Sequence, residues 1–402
     1  MKSIGEIETM AIETMISIIG KIQLAIINAG RKIKMKKLIV LTILVIMGLT
    51  SFVSAGNTYS PFRHDMYALG MGDAFVAYGN TSMGFIYNPA FLAKSNSFQL
   101  TLLDLQVTVN NKFSDVVSYM NDNADDFEDW DSLSSAEKNE LLDGIKKFDD
   151  RWVAVGANPS VSVLLPMGIG FAVYDNLAMK VKLDRGIYEP RGYAEIRQDL
   201  VFVGGYAREI NPKLSVGGNF KFISRRETGA IKLNASEFGE GQDIYDDAED
   251  DLQNAKSGFG LDVGALYQLQ PNIELGASII DLIGTVDGNK TPINLRAGVA
   301  YHYTPNFVSS KFLKGIVLAG DIEDMFNRDG DQLFNKIHLG ADFQMPVINF
   351  RFGFNQGYPG LGVGLNTKFF KVDYAFVGQE LGGAPGRDSE YSHYARISLG
   401  WM

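Results

Sequence analysis

The sequence predicts an all-β protein: a transmembrane antiparallel β-barrel of about 14 strands, with an N-terminal plug segment and one acidic helical insert. Three observations predict it. Apolar residues recur at every second position over repeated runs of roughly seven to twelve residues, and side chains alternate across a strand. The opposite face of these runs holds Gly and a few charges, a poor solvent face but a good barrel lumen. The composition is rich in Gly (43) and aromatics (26 Phe, 17 Tyr) and poor in Pro (12) among 402 residues, which favours strands over disorder.

Residues 1–34 read as an upstream extension. Met35-Lys36-Lys37 is followed by the uncharged apolar run Leu38 to Thr50 and then by Ser51-Phe52-Val53-Ser54-Ala55. A basic region, a short apolar core and a small-x-small cleavage site make residues 35–55 a secretory signal peptide. Residues 1–55 carry seven basic and three acidic side chains, so their removal leaves 30 basic against 44 acidic, a net charge of −14. Such an acidic chain repels nucleic-acid phosphate, and no nucleic-acid partner is expected. The absence of Cys excludes disulfides, thiolate metal sites and an acylated lipobox.

Residues 56–97 are compact, apolar and Gly-containing, with an Asn-Pro step, and precede the first convincing strand at Phe98. They are read as a plug. Met66, Leu69, Gly70, Met71, Gly72, Phe75, Phe85, Asn88, Pro89 and Phe91 are its candidate packing or ligand-lining residues. Residues 98–402 form the barrel, interrupted at 110–155. Within that insert, residues 115–150 hold 12 acidic and three basic side chains. Leu141, Leu142, Ile145 and Phe148 recur at helical spacing, and Ser134-Ser135-Ala136-Glu137 reads as a capping box. A second acidic loop, Glu237 to Asp251, carries eight acids and no base. Carboxylates are ligands of Ca²⁺, but neither stretch has EF-hand spacing, and no metal site is assigned.

The strand runs read by alternation are 98–109, 159–165, 168–175, 178–184, 198–207, 213–224, 258–268, 272–281, 293–303, 314–322, 335–344, 347–354, 361–368, 369–377 and 391–402. Phe259, Leu261, Val263, Ala265 and Tyr267 alternate with Gly260, Asp262 and Gly264. Leu295, Val299 and Ile397 are assigned to the lipid face. Asp262, Glu274, Arg296, His302, His338, Asp342, Arg351, Asp373 and Arg396 fall in the other phase and are expected to face the lumen, either lining a passage or pairing to fill space. The last strand ends on penultimate Trp401, close to the terminal aromatic typical of barrels inserted by the outer-membrane assembly machinery. No His-x-x-x-His pair, Gly-x-Ser-x-Gly elbow or Walker loop occurs, so no enzyme and no cofactor is expected.

Six stretches carry a family resemblance. Met66 to Asn80, with Gly70-Met71-Gly72-Asp73-Ala74-Phe75-Val76-Ala77, and then Asn88-Pro89-Ala90 resemble the start of FadL-like outer-membrane proteins, including the PorV and TraF-type branches. The departure is Asp73, where a second Gly is common. His338 to Asp342, Phe354 to Gly360, Asp373 to Phe376 and Tyr391 to Gly400 are similar to the C-terminal half of the same group. The resemblance implies a 14-stranded monomeric barrel in the outer membrane, plugged by its own N-terminus. It also implies passive transport of small hydrophobic compounds such as fatty acids, with outer-membrane lipid and the assembly machinery as partners. The alternative it implies is a non-transporting partner in secretion, conjugation or surface assembly.

Overall fold

The structure, a computed structural model, describes residues 62–148, 151–186, 189–234, 251–305, 311–326, 332–380, 386–387 and 389–401. The signal peptide, the upstream extension and most of the second acidic loop lie outside the described residues. Among the described residues, sixteen strands form one antiparallel sheet. Fourteen make the wall: β1 (Gln99–Asn110), β2 (Trp152–Leu165), β3 (Ile169–Asp184), β4 (Arg191–Asn211), β5 (Leu214–Glu227), β7 (Lys256–Gln270), β8 (Ile273–Val286), β10 (Asn294–Tyr303), β11 (Gly315–Ile322), β12 (Ile337–Gln344), β13 (Ile348–Asn355), β14 (Tyr358–Asn366), β15 (Phe370–Glu380) and β16 (Ser389–Trp401). Two short strands, β6 (Ile231–Asn234) and β9 (Asn289–Lys290), pair outside that ring with β4 and β8. Each wall strand pairs with its neighbour, β8 pairs directly with β10, and β16 pairs with β1 from Leu100↔Trp401 to Asn110↔Ser392, so the barrel is closed.

The distribution of side chains is inverted relative to a soluble barrel. Phe171, Phe202, Phe220, Leu318, Leu339, Phe352, Phe354, Leu361 and Ile397 are exposed, whereas Asp262, Glu274, Arg296, His338, Asp342, Arg351, Asp373 and Arg396 are buried. Both follow from one alternation with the apolar phase turned outward, as lipid contact requires. Val299 is exposed as expected and Leu295 is half-buried.

The strand reading needs two corrections. The runs 168–175 and 178–184 are one strand, β3; the polar pair Asp175-Asn176 only interrupts the apolar phase. The runs at 159–165 and 198–207 are parts of longer strands that begin at Trp152 and Arg191. At about 3.3 Å per residue and a tilt near 40°, the 21 residues of β4 rise roughly 50 Å, about twice the ~25 Å apolar band of such a barrel. Their excess stands beyond the membrane on the side of the insert.

The insert is helical between β1 and β2: α3 (Phe113–Asp122), α4 (Ala124–Glu128) and α5 (Ser135–Ile145), following the two plug helices α1 (Met66–Gly70) and α2 (Gly84–Tyr87). Ser134 and Glu137 make the reciprocal capping box at the start of α5. Val116, Phe127, Trp130, Leu141, Leu142, Ile145 and Phe148 form one apolar cluster with Val153, Leu183, Ala194 and Ile231. In β2 to β4 the lumen phase is set by Leu164, Ala172, Tyr174, Val201 and Val203, which pack on the plug. Val153, Leu183 and Ala194 are in the opposite phase. The insert therefore packs on the outside of the tall wall and does not enter the lumen.

Candidate functional site: the plugged lumen

Residues 62–94 fill the lumen. Asp65 caps α1 by accepting from the Tyr67 amide at 2.8 Å, and Asn88 caps the 3-10 helix Pro89–Lys94 by accepting from the Ala90 amide at 3.1 Å. Between them the chain turns at Gly72 (φ +66°) and Asp73 (φ +65°). A Cβ on Gly72 would fall 2.5 Å from Phe354 O and 2.6 Å from Leu339 O, so only Gly fits this approach. Asp73 takes the same left-handed backbone, a conformation that Gly adopts more easily than other residues. Here the carboxylate contributes instead: His64 Nδ1 lies 2.8 Å from Asp73 Oδ2, and the Tyr87 hydroxyl donates to Asp73 Oδ1 at 2.5 Å.

The lumen glycines are the seat of the plug. Gly340, Gly353 and Gly360 stand side by side across β12, β13 and β14. A Cβ on Gly340 or Gly353 would come closer than 3.0 Å to the backbone of Met71 or Gly72. Gly276 faces Val76 in the same way, and Gly217 faces Pro89. Backbone lies on backbone, and the Gly-rich lumen phase seen in the sequence is a set of docking surfaces for one internal segment.

Polar latches surround these contacts. Arg396 bridges the plug and the wall, with Nη1 2.9 Å from Asp65 and Nη2 2.8 Å from Asp373, while Arg351 meets Asp373 at 2.7 Å and stacks 4.1 Å from the Tyr67 ring. Arg63 meets Asp104 at 2.5 Å. Tyr67 and Tyr78 both donate to Asp342 Oδ2 at 2.7 Å. The amides of Phe75 and Val76 donate to Asp321 Oδ2 at 2.5 and 2.7 Å. Asn88 donates to Val76 O and to Ala265 O, both at 3.0 Å, and Lys94 pairs with Glu274. Burial pushes the Asp65 and Asp73 carboxyls up, but Arg396 and Arg63 outweigh it at Asp65 and His64 outweighs it at Asp73, so both are held below the usual carboxylate range.

Among the described residues, two cavities are lined by plug and wall together. One of about 320 Å³ opens at the tight-turn end and is polar, lined by Asp104, Lys314, Gln344, Asn349 and Lys371 among others. The other, about 430 Å³, lies toward the insert end between plug and wall. Phe62, His64, Leu69 and Asp73 of the plug line it, with Gln106, Val155, Asn158, Asn176, Leu177, His338 and Tyr394 of the wall. It abuts a break in the β2–β3 ladder. Pairing runs to Ala157↔Leu177 and resumes at Ser160↔Tyr174, skipping Asn158-Pro159 and Asp175-Asn176. Pro159 has no N–H to give, and Asn158 bridges to Asn176 through side chains at 3.0 Å.

The structure thus distributes the sequence candidates unevenly. Met66, Met71, Phe75 and Phe85 are fully buried packing residues and Phe91 is half-buried, so of the apolar candidates Leu69 alone lines the larger cavity. Gly70, Gly72, Asn88 and Pro89 are buried seat and cap positions. Most of the lumen charges are brought against the plug; Asp262 instead pairs with Lys221 of β5 at 2.7 Å, and His302 is exposed, 5.9 Å from the Tyr78 ring between centroids. Sequence reasoning missed Arg63, Asp65, Asp104, Tyr67, Tyr78, Tyr87, Asp321 and Glu323. Strand phase would have found Asp321, two residues from Ala319 on the lumen face. The plug residues carry no such signal, since Arg396 and Asp65 lie 331 positions apart. Among the described residues, no cluster of three or more His, Asp or Glu suited to a metal occurs.

No protein-family model matches the chain, and no curated protein matches it. Among solved structures, the Pseudomonas putida toluene transporter TodX matches with a TM-score of 0.52 and 13% identity, over 87% of this chain and 99% of that one. The TodX deltaS2S3 mutant, a monoaromatic hydrocarbon channel, matches with a TM-score of 0.50 and 12% identity, over 83% and 98%. At such identities the likeness is one of fold alone: a closed, 14-stranded antiparallel barrel.

Proposed function

We propose that this protein is an outer-membrane channel for passive passage of small hydrophobic compounds, with the N-terminal segment as its gate. The observation that carries the reading is the 430 Å³ cavity between plug and wall, set against the break in the β2–β3 ladder. A cavity of that size suits a small organic molecule. The broken ladder leaves β2 and β3 without backbone pairing where the cavity touches the wall. The fold shared with a toluene transporter supports the same substrate class. The apolar outer face supports an outer-membrane location. The test is uptake of radiolabelled toluene and of a long-chain fatty acid by cells with and without the protein. Faster entry of either compound is expected, and it should fall when Leu69→Asp puts a charge in the cavity. Equal entry in both strains overturns the transport reading.

The second reading, a PorV- or TraF-like partner in secretion, conjugation or surface assembly, rests on the insert. Its helices lie outside the lumen and present exposed acids such as Asp122, Asp125, Asp126, Asp129 and Glu140. Removing the insert would then abolish partner assembly and leave hydrocarbon uptake intact.

A further inference from the structure

The turn that seats the plug is held from the wall by a histidine whose two ring nitrogens both face acceptors. His338 Nδ1 lies 2.9 Å from the Gly72 carbonyl oxygen, and Nε2 lies 3.1 Å from Glu323 Oε1. A carbonyl oxygen only accepts, and an ionised carboxylate only accepts. A neutral imidazole has one N–H and leaves a lone pair facing one of these oxygens. The Nε2 contact is an ion pair and not an aligned hydrogen bond, and only the imidazolium both donates to Gly72 O and is attracted to the carboxylate. We propose that protonated His338 is a positioning residue that pins the Met71–Asp73 turn to the wall, and that the plug is released as this ring loses its proton.

The charges around the ring make the dependence strong. From the plug come Asp73, His64 and the Tyr87 hydroxyl. Arg296 comes from β10, Asp321 from β11 opposite His338, and Glu323 follows β11; the β13 neighbour Asn355 is uncharged. Arg296 meets Glu323 at 2.9 Å. Three carboxylates therefore share this buried site with one guanidinium, and the charge on His338 sets the balance. Loss of the His338 proton leaves Glu323 with Arg296 alone and sets a lone pair against Gly72 O or Glu323, in a site where an unmatched charge is costly. The seat beneath has no slack, since Gly72 lies on Gly353 backbone to backbone. The turn must lift away from the wall when the pin fails. This inference rests on the gating role of the plug and not on which compound passes.

The test is single-channel conductance of the full chain in planar bilayers from pH 6 to pH 10, without any organic substrate. Openings of the wild type should become at least tenfold more frequent across the alkaline part of that range. His338→Gln should open frequently at every pH, and His393→Gln, an exposed position in the outward phase of β16, should keep the wild-type profile. His338→Lys donates to both oxygens well above neutrality and should stay closed where the wild type opens. Wild-type openings that do not change with pH overturn the proposal, as does His338→Gln retaining the wild-type profile. Heat-modifiable migration separates a folded open barrel from a misfolded one. Should His338→Gln not fold, the 15N shifts of the wild-type ring decide: a neutral imidazole at pH 6 overturns the pin. Because no substrate is used, a failed uptake experiment leaves this result readable.

Discussion

Gly340→Ala tests whether backbone contact seats the plug. The three atoms nearest a Cβ at this position all belong to Met71: its carbonyl oxygen, its carbonyl carbon at 3.0 Å and its Cβ at 2.8 Å. Two of these are backbone atoms that a rotamer change does not move. Forcing a methyl into so tight a contact costs about 1–3 kcal/mol. The strain falls on the plug and not on the wall, because the nearest atoms all belong to Met71. Converted at about 1.4 kcal/mol per tenfold, the population with the turn unseated should rise by roughly fivefold to 150-fold. The control is Gly204→Ala on the outer face, where the nearest atoms are Phe171 ring carbons at 3.6 and 3.7 Å, an ordinary contact. The assay is open probability in planar bilayers, with heat-modifiable migration to show that both variants fold. Gly340→Ala opening no more often than Gly204→Ala, in folded barrels, refutes the seat.

Four other outcomes follow from the same geometry. Val299→Lys on the lipid face should cost about 2–4 kcal/mol near mid-membrane, whereas His302→Lys, an exposed position in the lumen phase, should cost far less; unfolding from lipid vesicles in urea measures both. Arg396→Met leaves Asp65 without its main partner and Asp373 with Arg351 only, and should destabilise the barrel by about 3–5 kcal/mol in the same assay. Asp65 and Asp73 have depressed folded-state pKa values, so their contribution is complete above the unfolded carboxylate value near 3.9 and is lost as pH falls through the folded values. Conductance should therefore rise below about pH 4, and a plug that stays seated down to pH 2 contradicts the latch assignment. Ser134→Ala removes the cap of α5 and should speed amide exchange in that helix by the equivalent of about 1 kcal/mol, with exchange in the wall unchanged.

The fold was legible because lipid outside and a filled lumen inside impose opposite demands on alternate residues. Arg296 and Arg396 could be assigned to the lumen from phase alone. Strand limits were less legible where polar residues break the phase, as at Asp175-Asn176 in β3. The role of the insert was hidden for a different reason. Its apolar stripe is visible at Leu141, Leu142 and Ile145, but the partner face, Val153, Leu183 and Ala194, shares the phase of the lipid-facing residues and reads as more lipid surface. Of the site, the glycines could be seen as an excess and not as a seat. Their purpose depends on which backbone comes against them, and Met71 is 269 positions from Gly340. The ionic latches were half visible: the wall members obey strand phase, whereas Arg63, Asp65 and Asp73 lie in a segment with no period to place them.

The two sides of the lumen are built differently, and the difference bears on how the barrel passes anything. On the side of β12 to β15 the plug rests on Gly340, Gly353 and Gly362 and is tied by Arg351, Asp373 and Asp342, and the space beside these contacts is the polar cavity of about 320 Å³ at the tight-turn end. On the side of β2 to β4 a cavity of about 430 Å³ separates plug from wall, and the ladder itself is interrupted. A close-packed interface does not widen by degrees; it holds or it comes apart. A molecule entering the cavity therefore meets its least resistance toward Asn158 and Asn176, where side-chain hydrogen bonds replace the ladder. Passage elsewhere requires the Met71–Asp73 turn to leave its glycine seat. If passage runs along the β2–β3 side, locking that seam by a disulfide between Asn158→Cys and Asn176→Cys should block hydrocarbon uptake in the oxidised state and leave pH-dependent ion conductance unchanged. Loss of both together would mean that one movement of the plug serves both, and uptake that persists after cross-linking would place the route elsewhere.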